Sequence, residues 1–139
     1  MSEDIFEILQ RGERPERPKL SGLMPKTIAA KWREDLLDEG YVPVAKRLIR
    51  SLPHVFKGEK GLEQLAVVLA IIDYRRPGMT RAPSAGLLGF TAGMSPEDFM
   101  ARLRELNQAG LVEVSGSPQA LEIDLEGFYK AVREKSDEA

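Results

Sequence analysis

The sequence has 139 residues, of which 42% are hydrophobic and 30% are charged, and its formal net charge is −2 at pH 7. This length and composition fit one globular domain with an appended arm. Because cysteine is absent, disulfides and thiolate metal sites are excluded. The first ten residues are acidic, and the longest apolar run, residues 65–72, is far shorter than the roughly 20 residues of a membrane span. We therefore expect a cytoplasmic protein without a secretory leader.

Charge is distributed unevenly along the chain. Residues 1–81 contain 15 basic and 12 acidic side chains, whereas residues 82–139 contain 5 and 10. A polyanionic partner should therefore meet the first part of the chain before the second.

Two segments precede the main domain. Residues 1–24 predict a short helix followed by an extended, proline-containing arm. Residues 25–60 predict a helical extension. Its first helix runs over 25–40, with Trp32 as a core or interface anchor and Gly40 as its stop. Its second helix runs from about 44 to 52 and is ended by Pro53.

Residues 61–139 predict a third domain, which begins with a helix over 62–75 that is apolar on most of its circumference. Such a helix is either central in a core or half covered by another subunit. A shorter helix follows, with Ser84 as its N-cap. Gly86 and Gly89 weaken this helix by about 1 kcal/mol each relative to Ala, which favours a role in close packing.

The stretch from Gly93 to Val114 predicts a turn, a capped helix, a stop and a strand. Ser95 is a candidate N-cap, and Phe99, Leu103 and Leu106 share one helical face. Alternation in "LVEVS" and "ALEIDL" around the turn "GSPQ" predicts a β-hairpin. A last helix should pass through Phe128 and end in a frayed tail, "SDEA".

This order of elements resembles the winged helix-turn-helix superfamily over about 75 residues, 61–135. The resemblance is carried by the apolar–small pair Leu88–Gly89, by Gly93 at the turn, by the Ser95 cap and by Phe99. Within the superfamily, "YVPVAKRLIRSL" and "RRPGMTRAPSAGLL" look most like replication initiators of plasmids or phages, with MarR-like regulators as the alternative. The implied fold is mainly α with a small β-hairpin, a winged helix with an N-terminal helical extension.

The resemblance implies a protein that binds double-stranded DNA, as a transcriptional regulator or replication-associated factor of prokaryotic or mobile-element type. We also expect a homodimer, because the helix over 62–75 has more apolar surface than one small module needs and the helices near Trp32 and Phe128 can supply a partner face. Neither a cofactor nor a metal is expected. The candidate DNA contacts are the basic and hydroxyl side chains of the loop, the capped helices and the N-terminal extension. They are Arg75, Arg76, Arg81, Ser84, Ser95, Arg102, Arg104, Lys26, Lys31 and Arg33.

An alternative follows from the acidic third helix of this module. Positions that meet base edges in the superfamily map near Glu97, Asp98, Ala101, Arg102 and Glu105, and carboxylates repel phosphates. The hairpin tip also lacks Lys and Arg. This pattern favours a winged-helix scaffold that binds a basic protein partner and not DNA.

Enzymatic function is not expected. The single histidine, His54, allows no convincing catalytic triad, and no cluster of residues has metal-ligand spacing. The glycines of "KGEKG" lack the phosphate-loop pattern.

Overall fold

The structure is a computed structural model that describes residues 26–75 and 81–138. It divides the chain into two compact units, Met1–Tyr41 and Val42–Ala139. The boundary therefore lies near residue 41, whereas the sequence placed one near residue 60. The second helix of the predicted extension belongs to the larger unit.

In the first unit, helix α1 spans Lys26–Trp32 and a 3-10 helix spans Glu34–Leu37. The prediction of one continuous helix over 25–40 is wrong because Arg33 has a φ of 69°, in the left-handed region that ends an α-helix. Trp32 is 59% exposed, so it is not a core anchor.

In the larger unit, helix α2 spans Lys46–Val55 and passes through Pro53, which was predicted to end it. Pro53 has no N–H to donate to the Ile49 carbonyl, and both residues lie on the exposed side of the helix. Helix α2 packs antiparallel to the last helix, α6, which spans Glu126–Glu138. The Phe56 and Phe128 rings meet at one end, 6.1 Å apart, and Arg47 pairs with Asp137 at the other. The predicted frayed tail is therefore largely helical.

The core of this unit is built on three helices, α3 (Gly61–Tyr74), α4 (Ala85–Ala92) and α5 (Pro96–Gln108). The predicted inward face of α5 is confirmed, since Phe99, Leu103 and Leu106 are at most 1% exposed. Burial of each such side chain contributes about 1.5–3 kcal/mol. They pack with Val67 of α3 and Leu88 of α4.

The turn between α4 and α5 is tight because of two glycines. Gly93 has a φ of 76° and ends α4. At Gly89, a Cβ atom would lie 3.0 Å from the Met94 carbonyl oxygen, so the predicted close packing is confirmed there. It is wrong for Gly86, where the nearest atom to a Cβ would be Ser84 Oγ at 3.9 Å.

The hairpin comprises β1 (Glu113–Ser117) and β2 (Ala120–Asp124), paired antiparallel with Ser117 opposite Ala120. Its turn is Pro118–Gln119, shorter than the predicted "GSPQ". Two backbone hydrogen bonds attach it to the entry of α4: Leu121 N donates to Pro83 O at 2.8 Å, and Ala85 N donates to Pro118 O at 2.7 Å. The hairpin is therefore fixed to the helical body.

The prediction of a mainly helical chain with a small two-stranded hairpin is confirmed. Among the described residues, no helix has the length and apolar character needed to cross a bilayer.

Candidate interaction surface

Local sequence fixes the orientation of α5. Ser95 Oγ accepts a hydrogen bond from Asp98 N at 3.1 Å, which confirms the predicted N-cap. Because Phe99, Leu103 and Leu106 point inward, Glu97, Asp98 and Arg104 lie on the solvent-exposed side of the helix. Two carboxylates and one guanidinium therefore dominate the outward face of α5.

Arg102, the central cation predicted to contact bases, turns toward α3. Its side chain is 12% exposed. Its Nη2 donates to Glu105 Oε2 at 2.9 Å, and its Nη1 donates to Glu63 Oε2 at 3.4 Å. Both neighbouring carboxylates thus neutralise Arg102 inside the protein.

Glu105 completes this network between α3 and α5. Gln64 Nε2 donates to Glu105 Oε1 at 3.1 Å. That hydrogen bond, together with Arg102, holds the pKa of Glu105 below its ordinary value of 4.5. Lys60 Nζ lies 3.2 Å from Glu63 Oε2 and extends the chain of charges. The charged side chains in the middle of α5 therefore connect α5 to α3.

The hairpin adds further negative charge. Glu113, Glu122 and Asp124 are exposed, and Ser115 Oγ donates to Glu122 Oε2 at 3.2 Å. The exposed Arg75, which was predicted to bind DNA, donates from its guanidinium to the Ile123 carbonyl of the hairpin.

The other predicted contacts of the larger unit have mixed placements. Ser84 Oγ accepts from Leu87 N at 3.1 Å, so both Ser84 and Ser95 serve as helix caps. Arg81 and Arg104 are exposed, and the Arg81 carbonyl accepts from Tyr74 Oη at 2.9 Å. Arg76 lies outside the described residues.

The remaining predicted contacts belong to the first unit. Lys26 opens α1, and Lys31 is exposed in its last turn. Arg33 is exposed and lies 3.7 Å from Asp35.

An exposed apolar face on α4 was missed by the sequence analysis. Leu87 is 47% exposed and Phe90 63% exposed, one helical turn apart. The signal was present in "AGLLGFTA", which is apolar around its whole circumference although a small domain covers only one side of such a helix. The turn that contains Gly93 and Met94 connects α4 to the exposed Glu97 and Asp98 in the first turn of α5. We call Leu87, Phe90, Glu97 and Asp98 the α4–α5 surface.

A basic face on α2 is not among the candidate sites of the sequence analysis. Lys46, Arg50 and His54 are exposed and recur every four residues, so they form one stripe. We call these three residues the α2 basic face.

No family model, curated protein or solved structure matched the chain. The winged-helix resemblance therefore stays a prediction from the residue pattern. In the part of the chain that the structure describes, no group of three or more His, Asp or Glu residues is placed to hold a metal ion.

Proposed function

We propose that this protein is a winged-helix interaction module that binds a basic, amphipathic protein segment through the α4–α5 surface. The proposal is carried by the neutralisation of Arg102. Because Glu105 and Glu63 hold this guanidinium, α5 offers a partner mainly the carboxylates of Glu97 and Asp98. Such a surface repels phosphates and attracts lysine and arginine side chains.

The apolar part of the surface supports a protein partner. A nucleic-acid backbone is charged and polar, so it offers no apolar surface to cover Leu87, which is 47% exposed on α4. Exposed apolar patches rimmed by charge are typical of protein–protein contacts. A cationic amphipathic helix matches both features, since its apolar side covers Leu87 and Phe90 and its basic side faces Glu97 and Asp98.

The element order supports the winged-helix part of the proposal. The chain runs helix, helix, tight turn, helix, hairpin and helix, with the close crossing at Gly89 and the bend at Gly93. The alternative function, expected from the sequence, is a homodimeric DNA-binding regulator or replication-associated factor. It requires α5 to approach phosphates with Arg104 as its one exposed cation.

A peptide selection tests the proposal. A displayed library of helical peptides that varies charge and apolar face is selected against the full-length protein. We expect enrichment of peptides with net positive charge and an apolar stripe. Glu97→Lys and Leu87→Ser should each weaken the selected peptides about tenfold or more by fluorescence anisotropy.

Matched controls are present in the chain. Glu134→Lys reverses another exposed carboxylate, and Leu62→Ser removes another exposed leucine, which is 83% exposed. Both control variants should bind the selected peptides like the parent protein. Enrichment of acidic peptides, or equal losses in the control variants, would contradict the proposed surface.

A further inference from the structure

The α2 basic face has an unusual local electrostatic setting. Helix α2 starts with Lys46 and Arg47, has no acidic residue in its first turn, and has no side-chain cap at Ala45. Cations at a helix N-terminus oppose the helix dipole. By contrast, α5 starts with a serine cap followed by Glu97 and Asp98. The positive charges at the start of α2 therefore reduce the stability of this helix.

The charges of α2 are only partly neutralised within the protein. Arg47 pairs with Asp137 of α6. Lys46 and Arg50 make no ion pair with any described residue, and neither does Lys57 just after the helix. Helix α2 itself contains no Asp or Glu. Lys46 and Arg50 of the α2 basic face are thus cations without an ion pair in the part of the chain that the structure describes.

The dimensions of this stripe fit a phosphate backbone. Eight residues separate Lys46 from His54, a rise of about 12 Å along the helix. Because each strand winds around the duplex axis, its successive phosphates lie farther apart than the rise of about 3.4 Å per base pair, so the stripe faces about two phosphates of one strand. The positive end of the α2 dipole adds to the same field.

We propose that the α2 basic face binds the phosphate backbone of duplex DNA without reading its sequence. This site is separate from the α4–α5 surface, because α2 packs on α6 whereas α4 and α5 pack on α3 and on each other. The protein would then join a nucleic-acid backbone to a protein partner.

The experiment is a salt titration of the full chain with random duplex DNA, read by fluorescence anisotropy. Each phosphate neutralised by a cation adds about −0.9 to the slope of log K against log salt. Removal of both cations in Lys46→Ala/Arg50→Ala should therefore reduce the steepness by about 1.8. Between 50 and 200 mM salt, the variant should lose about tenfold less affinity than the parent protein.

The control removes two other exposed cations, Arg81→Ala/Arg104→Ala, which the sequence had favoured as DNA contacts. This variant should keep the slope of the parent. The proposed site is refuted if Arg81→Ala/Arg104→Ala reduces the slope while Lys46→Ala/Arg50→Ala keeps that of the parent. It is also refuted if neither double variant changes the slope. If Lys46→Ala/Arg50→Ala melts early, Lys46→Gln/Arg50→Gln retains the side-chain length and should give the same change in slope.

Two further arms separate DNA from other acidic partners. Vesicles containing phosphatidylserine should bind far more weakly than duplex DNA at equal salt, and stronger vesicle binding would assign the face to a membrane. Sedimentation velocity at 50 mM salt should give the same species for the parent and for Lys46→Ala/Arg50→Ala. Self-association of the parent that the variant abolishes would assign the face to a second copy of the chain.

Discussion

The two glycines of α4 allow a matched test of how closely α4 and α5 are packed. Both Gly86 and Gly89 lie in the same helix, and replacing either by Ala gives a similar gain in helix propensity, about 0.5–1 kcal/mol. Their surroundings differ. A Cβ at Gly86 would have no neighbour closer than 3.9 Å, whereas one at Gly89 would lie 3.0 Å from Met94 O and 3.3 Å from Ser95 O.

The neighbours of Gly89 are backbone atoms and cannot rotate away. Met94 N also donates to Gly89 O at 2.9 Å, so the turn is held against the helix. Overpacking of this kind costs about 1–3 kcal/mol. We therefore expect Gly86→Ala to raise the free energy of unfolding by up to about 1 kcal/mol. Gly89→Ala should lower it by about 1 kcal/mol.

Urea denaturation of both variants measures the difference directly. The unfolded-state contributions of the two substitutions are similar, so their difference isolates the packing cost at Gly89. In a unit of this size, 1 kcal/mol corresponds to about 4–8 °C in Tm. If Gly89→Ala stabilises the protein as much as Gly86→Ala, the close approach of α4 to the turn is refuted.

Three further predictions concern the charges and caps described above. Arg102→Ala should destabilise the fold by about 1–2 kcal/mol, because it leaves two carboxylates without their partner, whereas Arg104→Ala on the exposed side should change stability by less than about 0.5 kcal/mol in urea denaturation. The lowered pKa of Glu105 means that its stabilising effect is complete above its ordinary value of 4.5 and is lost as pH falls through the lowered value. Glu105→Gln should therefore flatten the acid side of the stability–pH curve, and an unchanged curve would count against the network. Finally, Lys46→Glu should raise Tm by a few degrees, since it removes a cation from the start of α2 and adds an anion there. Lower stability would show that Lys46 serves the fold.

Helix order, caps and the inward face of α5 could be predicted because they depend on local chemistry. Ser84 and Ser95 are N-caps, and Phe99, Leu103 and Leu106 repeat with helical spacing. These signals are determined by residues within one or two turns of each other.

The fate of the charged residues could not be predicted in the same way. Arg102 is neutralised partly by Glu63, which is 39 residues away in sequence. Arg75 reaches Ile123 across 48 residues. Only the packed helices decide whether such a cation faces solvent or a carboxylate. Likewise, Arg33 has a positive φ that interrupts the helix, although the residue pattern over 25–40 is favourable for a helix throughout.

The attachment of the hairpin changes what its tip can tolerate. Loop tips usually accept inserted residues, since their backbone groups face water. Here the Pro118 carbonyl accepts from Ala85 N, the first residue of α4, and Leu121 beyond the turn donates to Pro83. A label or affinity tag inserted between Pro118 and Gln119 would consequently disturb the two hydrogen bonds that hold the hairpin to the beginning of α4.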